Sequence, residues 1–135
     1  MAGVATAIKA LKPSVRIWGV ETEGADCMSK SMAAGKIVTM DAITSVARTL
    51  GAPAPSERTF AAAQQLLESI TVVPDGEALA ALRFILERLK VLTEPAASCT
   101  LAAAERLKDR FSRERHVVLV LCGGNMAVED IGKVV

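Results

Sequence analysis

The stretch His116 to Asn125, HVVLVLCGGN, constrains this chain more than any other. Val117 to Leu121 form an unbroken apolar run, so a strand built from them has no face to turn to water. Such a run reads as a core strand buried on both sides, as in the middle of a parallel sheet. It stops at Cys122-Gly123-Gly124-Asn125, where two glycines open backbone angles closed to other residues and let a ligand approach the main chain. In open α/β sheets ligands gather outside the carboxyl ends of strands. A thiol and an amide just past this strand are therefore candidates for cofactor contact.

The remaining chain alternates helical and β-rich patterns. Ala2 to Lys12 places Val4, Ile8 and Leu11 on one helical face, and Pro13 stops it. A helix that begins at residue 2 without a capping side chain reads as the remainder of a longer chain. Val15 to Val20, VRIWGV, reads as a second buried strand, and helix followed by strand is the second half of a βαβ unit. Ala25 to Ala34 forms a short helix ended by Gly35, and Lys36 to Ser56, with its Gly-Ala-Pro-Ala-Pro run, an ordered loop. Ser56 and Thr59 are candidate caps for a helix to about Glu68. A strand over Ile70 to Val73 follows, with Asp75 placed to cap the next helix. That helix, Glu77 to about Leu92, carries Leu79, Leu82, Leu86 and Leu89 as its apolar stripe. Pro95 interrupts, and a last helix runs from about Ala96 to Phe111, beginning with small residues that allow close packing or a nearby cofactor. Ser112 to Arg115 is a charged loop leading into the strand at His116. Helices alternating with β-rich runs predict one α/β domain over residues 1–135, a layered fold with a short, mostly parallel sheet flanked by helices.

Composition excludes several classes of partner. Lys and Arg number 16 against 15 Asp and Glu, with neither sign in a long block, so no footprint for nucleic acid or membrane is present. Aromatic content of 3% argues against a base-stacking surface. The opening residues lack the basic region, apolar stretch and cleavage site of a signal peptide. Cys27, Cys99 and Cys122 are odd in number and without CxxC spacing, which suggests neither a disulfide framework nor a zinc site. Reduced thiols and a cytoplasmic location are expected. His116, the sole histidine, is expected at the surface.

Three segments together resemble one family: AGVATAIKALKPSVRIWGVE, ERLKVLTEPAAS and VVLVLCGGN, in that order and with matching intervals. They are similar to the fold-type II pyridoxal-phosphate enzymes, especially the threonine and serine dehydratases and serine racemase. The resemblance implies that this chain is the C-terminal half of the catalytic region and that its cofactor is pyridoxal 5'-phosphate. It implies that Cys122, before Gly123, Gly124 and Asn125, meets the pyridine nitrogen of the cofactor, and that Glu94 lies on the cofactor side of the site. A thiol does not hold that nitrogen protonated as a carboxylate would, an environment suited to elimination. Glu21 and Ala25 match positions that bind a divalent cation in some relatives. The third carboxylate of that cation site falls at Cys27, with Asp26 one residue away.

The departures from the family pattern are as informative. Its Schiff-base lysine, its Ser-Gly-Asn-His substrate loop and its glycine-rich phosphate loop are all absent, and none of Lys9, Lys12, Lys30, Lys36, Lys90, Lys108 and Lys133 has the required context. No catalytic residue is therefore assigned. The resemblance implies a lyase that deaminates a hydroxy amino acid to a 2-oxo acid, this chain being a fragment inactive alone. The rival readings are a stand-alone domain that self-associates through an open sheet edge, and a phosphate or nucleotide binder using the Gly123-Gly124 turn.

Overall fold

The computed structural model describes residues 1–111 and 116–132. Helix α1 spans Ala2–Leu11 and leads into strand β1, Trp18–Thr22. Helices α2, Cys27–Ala34, and α3, Glu57–Leu66, then cross over to strand β2, Ser69–Val73. Helices α4, Asp75–Leu89, and α5, Pro95–Leu107, follow, and a short α6 covers Val128–Ile131. Strands β1 and β2 pair in parallel, Trp18 opposite Ser69 and Thr22 opposite Val73. The result is a mixed α/β structure with a short parallel sheet of two strands flanked by helices, as the alternating pattern predicts.

Local chemistry sets most helix ends. Ser56 caps α3 by accepting the Thr59 amide proton at 3.2 Å. Gly35 ends α2 in the left-handed conformation that glycine adopts without strain. Pro95 occupies the first position of α5, where a missing N–H costs nothing.

The core lies where α4 and α5 meet each other and the sheet. Val73, Ala78, Ala81, Cys99, Ala102 and Ala103 form it, with Val20, Leu50 and Leu101 packed around them. Pro95 to Cys99, Ala102 and Ala103 are all buried, and none is large. Ser98, fully buried, donates its hydroxyl proton to the Ala78 carbonyl of α4 at 2.7 Å.

Four expectations need correction. The strand expected over Val15 to Val20 lies instead at Trp18–Thr22, because its partner β2 begins only at Ser69. The buried face of α4 is Ala78, Ala81, Leu82 and Ile85; of the leucine stripe only Leu82 is fully buried, and Leu89 is 59% exposed. The inward face thus mixes two alanines with Leu82 and Ile85, and the rest of the leucine stripe is turned aside. Asp75 is a residue of α4 and not its cap. Its carboxylate reaches across to accept the Ser45 hydroxyl proton at 2.5 Å and the Val46 amide proton at 2.9 Å. Ser45 also pairs with the Thr22 hydroxyl at 2.7 Å, so this network ties the loop after α2 to the ends of both strands.

The fourth correction concerns the run that reads most firmly as a strand. Residues 116–121 form no strand, and Val117, Val118 and Val120 are 46%, 83% and 50% exposed. A central strand needs a hydrogen-bonded neighbour on each edge and a layer on each face. Among the described residues the sheet has only β1 and β2, which pair with each other. His116 is exposed as expected, and the loop expected over Ser112 to Arg115 lies outside the described residues.

The tight small-residue packing makes a definite prediction. Ala103→Leu, at a position 2% exposed, is expected to destabilise the fold by about 1–3 kcal/mol through overpacking. A urea or thermal midpoint equal to that of the unsubstituted chain would contradict the packing described.

Candidate functional site

Two segments far apart in sequence meet at the start of α5. The backbone amide of Glu94 donates to the Gly123 carbonyl at 3.1 Å, and the Thr93 hydroxyl donates to the same oxygen at 2.8 Å. Both glycines let the turn come close. A Cβ on Gly123 would collide with the Glu94 carboxylate, and one on Gly124 would lie 2.9 Å from the Leu92 carbonyl oxygen. The turn closes with the Met126 amide donating to the Gly124 carbonyl at 2.9 Å.

Glu94 stands at the N-cap position of α5 and is 8% exposed, yet its carboxylate makes no cap hydrogen bond. Its backbone carbonyl accepts the amides of Ala97 and Ser98 instead, each at 2.9 Å. The carboxylate is left lying against Gly123, next to Cys122 in the chain. Cys122 and Asn125 are exposed and Gly123 is half-buried. The structure thus brings Glu94 together with Gly123 and Gly124, a buried carboxylate beside a turn that carries an accessible thiol.

The other thiols are held differently. Cys99 is buried in α5 and donates to the Ala96 carbonyl at 3.2 Å. Burial, with a further contribution from Cys122, pushes its pKa up to about 12. Cys27 is buried as well, and burial followed by the nearby Glu21 charge raises its pKa.

Glu21 and Ala25 lie apart from this turn, beside α2. The Glu21 carboxylate accepts the amide protons of Met28 at 3.1 Å and Ser29 at 2.7 Å, one on each oxygen. It therefore satisfies orphan donors of the first turn of α2 from a neighbouring strand. Burial raises its pKa above the ordinary carboxylate range, against the lowering effect of those two amides. Ala25 is fully buried, its amide bonded to the Thr22 carbonyl at 2.9 Å, and Asp26 is paired with Lys30 at 2.8 Å. Among the described residues no group of three or more His, Cys, Asp or Glu is placed to hold a metal ion.

Six of the seven lysines, Lys9, Lys12, Lys30, Lys36, Lys90 and Lys108, are exposed or half-buried, and Lys133 lies outside the described residues. A surface groove of 480 Å³ between α4 and α5 is lined by Ala80, Phe84, Leu101 and Arg106 among others and includes neither Glu94 nor Cys122. Thr93 is absent from the sequence-based assignment. Its only sequence signal is a hydroxyl placed before Glu-Pro, and its partner lies 30 residues downstream.

Comparison with known proteins places these features in context. The family model described as "Pyridoxal-phosphate dependent enzyme" matches residues 1–123. The phenylserine dehydratase of Ralstonia pickettii is 39% identical over 126 residues, covering 93% of this chain and 38% of that protein. The L-threonine ammonia-lyase of Geobacter sulfurreducens is 36% identical over 137 residues, covering 100% of this chain and 33% of its own length. The chain thus spans little more than a third of these curated relatives. Among solved structures, maize serine racemase superposes with a TM-score of 0.84 at 33% identity, over 98% of this chain and 41% of that one. The processed form of threonine deaminase isoform 2 from Solanum lycopersicum superposes with a TM-score of 0.90 at 28% identity, over 98% and 39%. No helix among the described residues is long and apolar enough to cross a membrane.

Two measurements check this geometry. Limited iodoacetamide treatment followed by mass mapping is expected to modify Cys122 well before Cys27 or Cys99, since only that thiol is exposed; equal labelling of all three would contradict the burial. For Glu21, a raised folded-state pKa means that the native state binds more protons than the unfolded one above the ordinary value of 4.5. Its favourable contribution is present below that value and is lost as pH rises through the folded pKa. The stability of the unsubstituted chain relative to Glu21→Gln is therefore expected to fall as pH is raised from about 4 to neutrality. A pH-independent difference between the two would show that Glu21 titrates normally.

Proposed function

Because the chain belongs to the pyridoxal-phosphate dependent enzyme family, we propose that residues 1–135 are one α/β domain, the C-terminal part of a threonine or serine dehydratase-type lyase. The whole protein converts a hydroxy amino acid to a 2-oxo acid and ammonia, the water lost in the elimination being regained when ammonia is released. It is a cytoplasmic enzyme that binds neither nucleic acid nor membrane and works as a homo-oligomer.

The observation that carries this reading is the junction of Glu94 with Gly123. Two of the three segments that resemble the family meet there, close enough that a Cβ on Gly124 would lie 2.9 Å from the Leu92 carbonyl oxygen. Bound pyridoxal phosphate would supply an electron sink for charge developing at the substrate α-carbon. The donor set suits the ring edge of that group: Cys122 offers an accessible thiol, Gly123 and Gly124 form a turn free of side chains, and Glu94 and Asn125 flank it. The thiol is a weak hydrogen-bond partner for the ring nitrogen, and Glu94, adjacent and largely withdrawn from water, sets the field beside it. No buried lysine occurs among the described residues and the family's phosphate loop has no match, so this chain alone is inactive. A divalent cation at Glu21 and Ala25 is left out of the reading, since both oxygens of Glu21 already serve α2.

A second reading is favoured by a separate observation. Among the described residues the exposed valines at 117, 118 and 120 belong to an apolar segment that joins neither strand of the sheet, and a segment of that kind pairs readily with another copy of itself. On this view the chain is a non-catalytic, self-associating domain.

Sequencing the transcript upstream of the Met1 codon separates the two. The lyase reading expects an in-frame Ser-x-Lys-x-Arg segment and a glycine-rich loop. An unrelated upstream reading frame would overturn it in favour of the self-associating domain.

A further inference from the structure

We infer that Thr93 is a positioning residue for Cys122, acting through the Gly123 carbonyl; in its relevance to the cofactor this rests on the function proposed above. Cys122 is exposed, and its carbonyl group leads directly into Gly123. Among the described residues the head of α5 holds that backbone at Gly123. The Gly123 carbonyl oxygen accepts two protons, from the Thr93 hydroxyl at 2.8 Å and from the Glu94 amide at 3.1 Å. The two donors come from consecutive residues and differ in kind. The Glu94 amide is present whatever side chain stands there, whereas the hydroxyl belongs to Thr93 alone.

Thr93 is well placed to act as the adjustable half of this clamp. It is 1% exposed, so its hydroxyl does not exchange partners with solvent. It stands two residues before Pro95, at the head of a helix whose first turn is buried throughout, so the donor is carried by a rigid element. The acceptor, by contrast, belongs to the first of two consecutive glycines, at the end of a segment with no strand partner among the described residues. With the hydroxyl in place the turn has one orientation and the thiol one heading. Without it, a single amide remains to hold a carbonyl in a flexible backbone.

The test compares Thr93→Val, which keeps the shape and removes the hydroxyl, with Thr93→Ser, which keeps the hydroxyl. Hydrogen exchange of the backbone over residues 121–127 is expected to accelerate about fivefold in Thr93→Val and to stay within about twofold of the unsubstituted chain in Thr93→Ser. Cyanylation of the exposed Cys122 gives a second reading. Its nitrile stretching band is expected to be narrow in the unsubstituted chain and in Thr93→Ser, and broadened or split in Thr93→Val. Unchanged exchange and an unchanged band in Thr93→Val would overturn the inference, as would equal acceleration in Thr93→Ser, which would assign the effect to packing. If Thr93→Val loosens the whole fold, restoration of both signals by Thr93→Ser still supports the hydroxyl's role. Both measurements are made without cofactor, and titration of the full-length protein with pyridoxal phosphate tests the function separately: absence of binding there would defeat the cofactor reading and leave the clamp standing.

Discussion

The structure depends on α5 presenting a face with no side chain larger than a thiol or a proline ring. Pro95, Ala96, Ala97, Ser98, Cys99, Ala102 and Ala103 are buried, and this lets the helix touch α4 and both strands at short range. Close approach of backbones brings many weak dispersion contacts into play, and these hold the centre together with the fully buried Leu82 and Val73. The buried Ser98 hydroxyl would be costly if unpaired, and its bond to the Ala78 carbonyl both satisfies it and fixes the height of one helix on the other. The Arg106 to Glu77 ion pair spans the same two helices, but both side chains are well exposed, so it adds little to that hold.

Once α5 is fixed, the features at its beginning follow. Glu94 cannot swing its backbone away, because its carbonyl is committed to the first amides of the helix. Its own amide then points at Gly123, and the turn is drawn against residues 92–94. A second set of polar ties, Thr22 to Ser45 to Asp75, does the same work at the carboxyl ends of the strands, where a long irregular segment must be pinned. In both places a buried hydroxyl or carboxylate replaces regular secondary structure as the means of ordering a loop.

Much of this is legible from residues alone, where the cause is local. Ser56 and Gly35 cap and end their helices as their types suggest, and Pro95 marks the start of α5. The α/β class follows from the same alternation, and the segments around Glu94 and Gly123 carry the family resemblance. What is not legible depends on distant partners. Asp75 looks like a cap until Ser45 and Val46 supply better donors from another segment. The leucines of α4 give a clear helical period, but which part of it faces inward depends on the elements packed against it, and Ala78, Ala81, Leu82 and Ile85 are the residues buried. Thr93 shows in sequence only as a hydroxyl before Glu-Pro, and a hydroxyl is informative only when its acceptor is known.

The apolar run at 116–121 is the most instructive of these cases, since the same pattern that fails as a strand succeeds in leading to the site. Hydrophobicity states that a segment would be buried if neighbours were present; it does not supply the neighbours. Val118, the most exposed of the run's valines, shows how far the segment is from a packed core. Yet a few residues later the chain is firmly held, because the tie at Gly123 uses one backbone amide and one side chain from the adjoining helix start and asks nothing of the sheet. The turn is therefore organised independently of the strand-like run that precedes it. Of the two thiols near α5, Cys99 is sealed in the core with its pKa pushed up to about 12, whereas Cys122 is exposed. Among the described residues the turn takes its order from the head of α5, through Thr93 and Glu94.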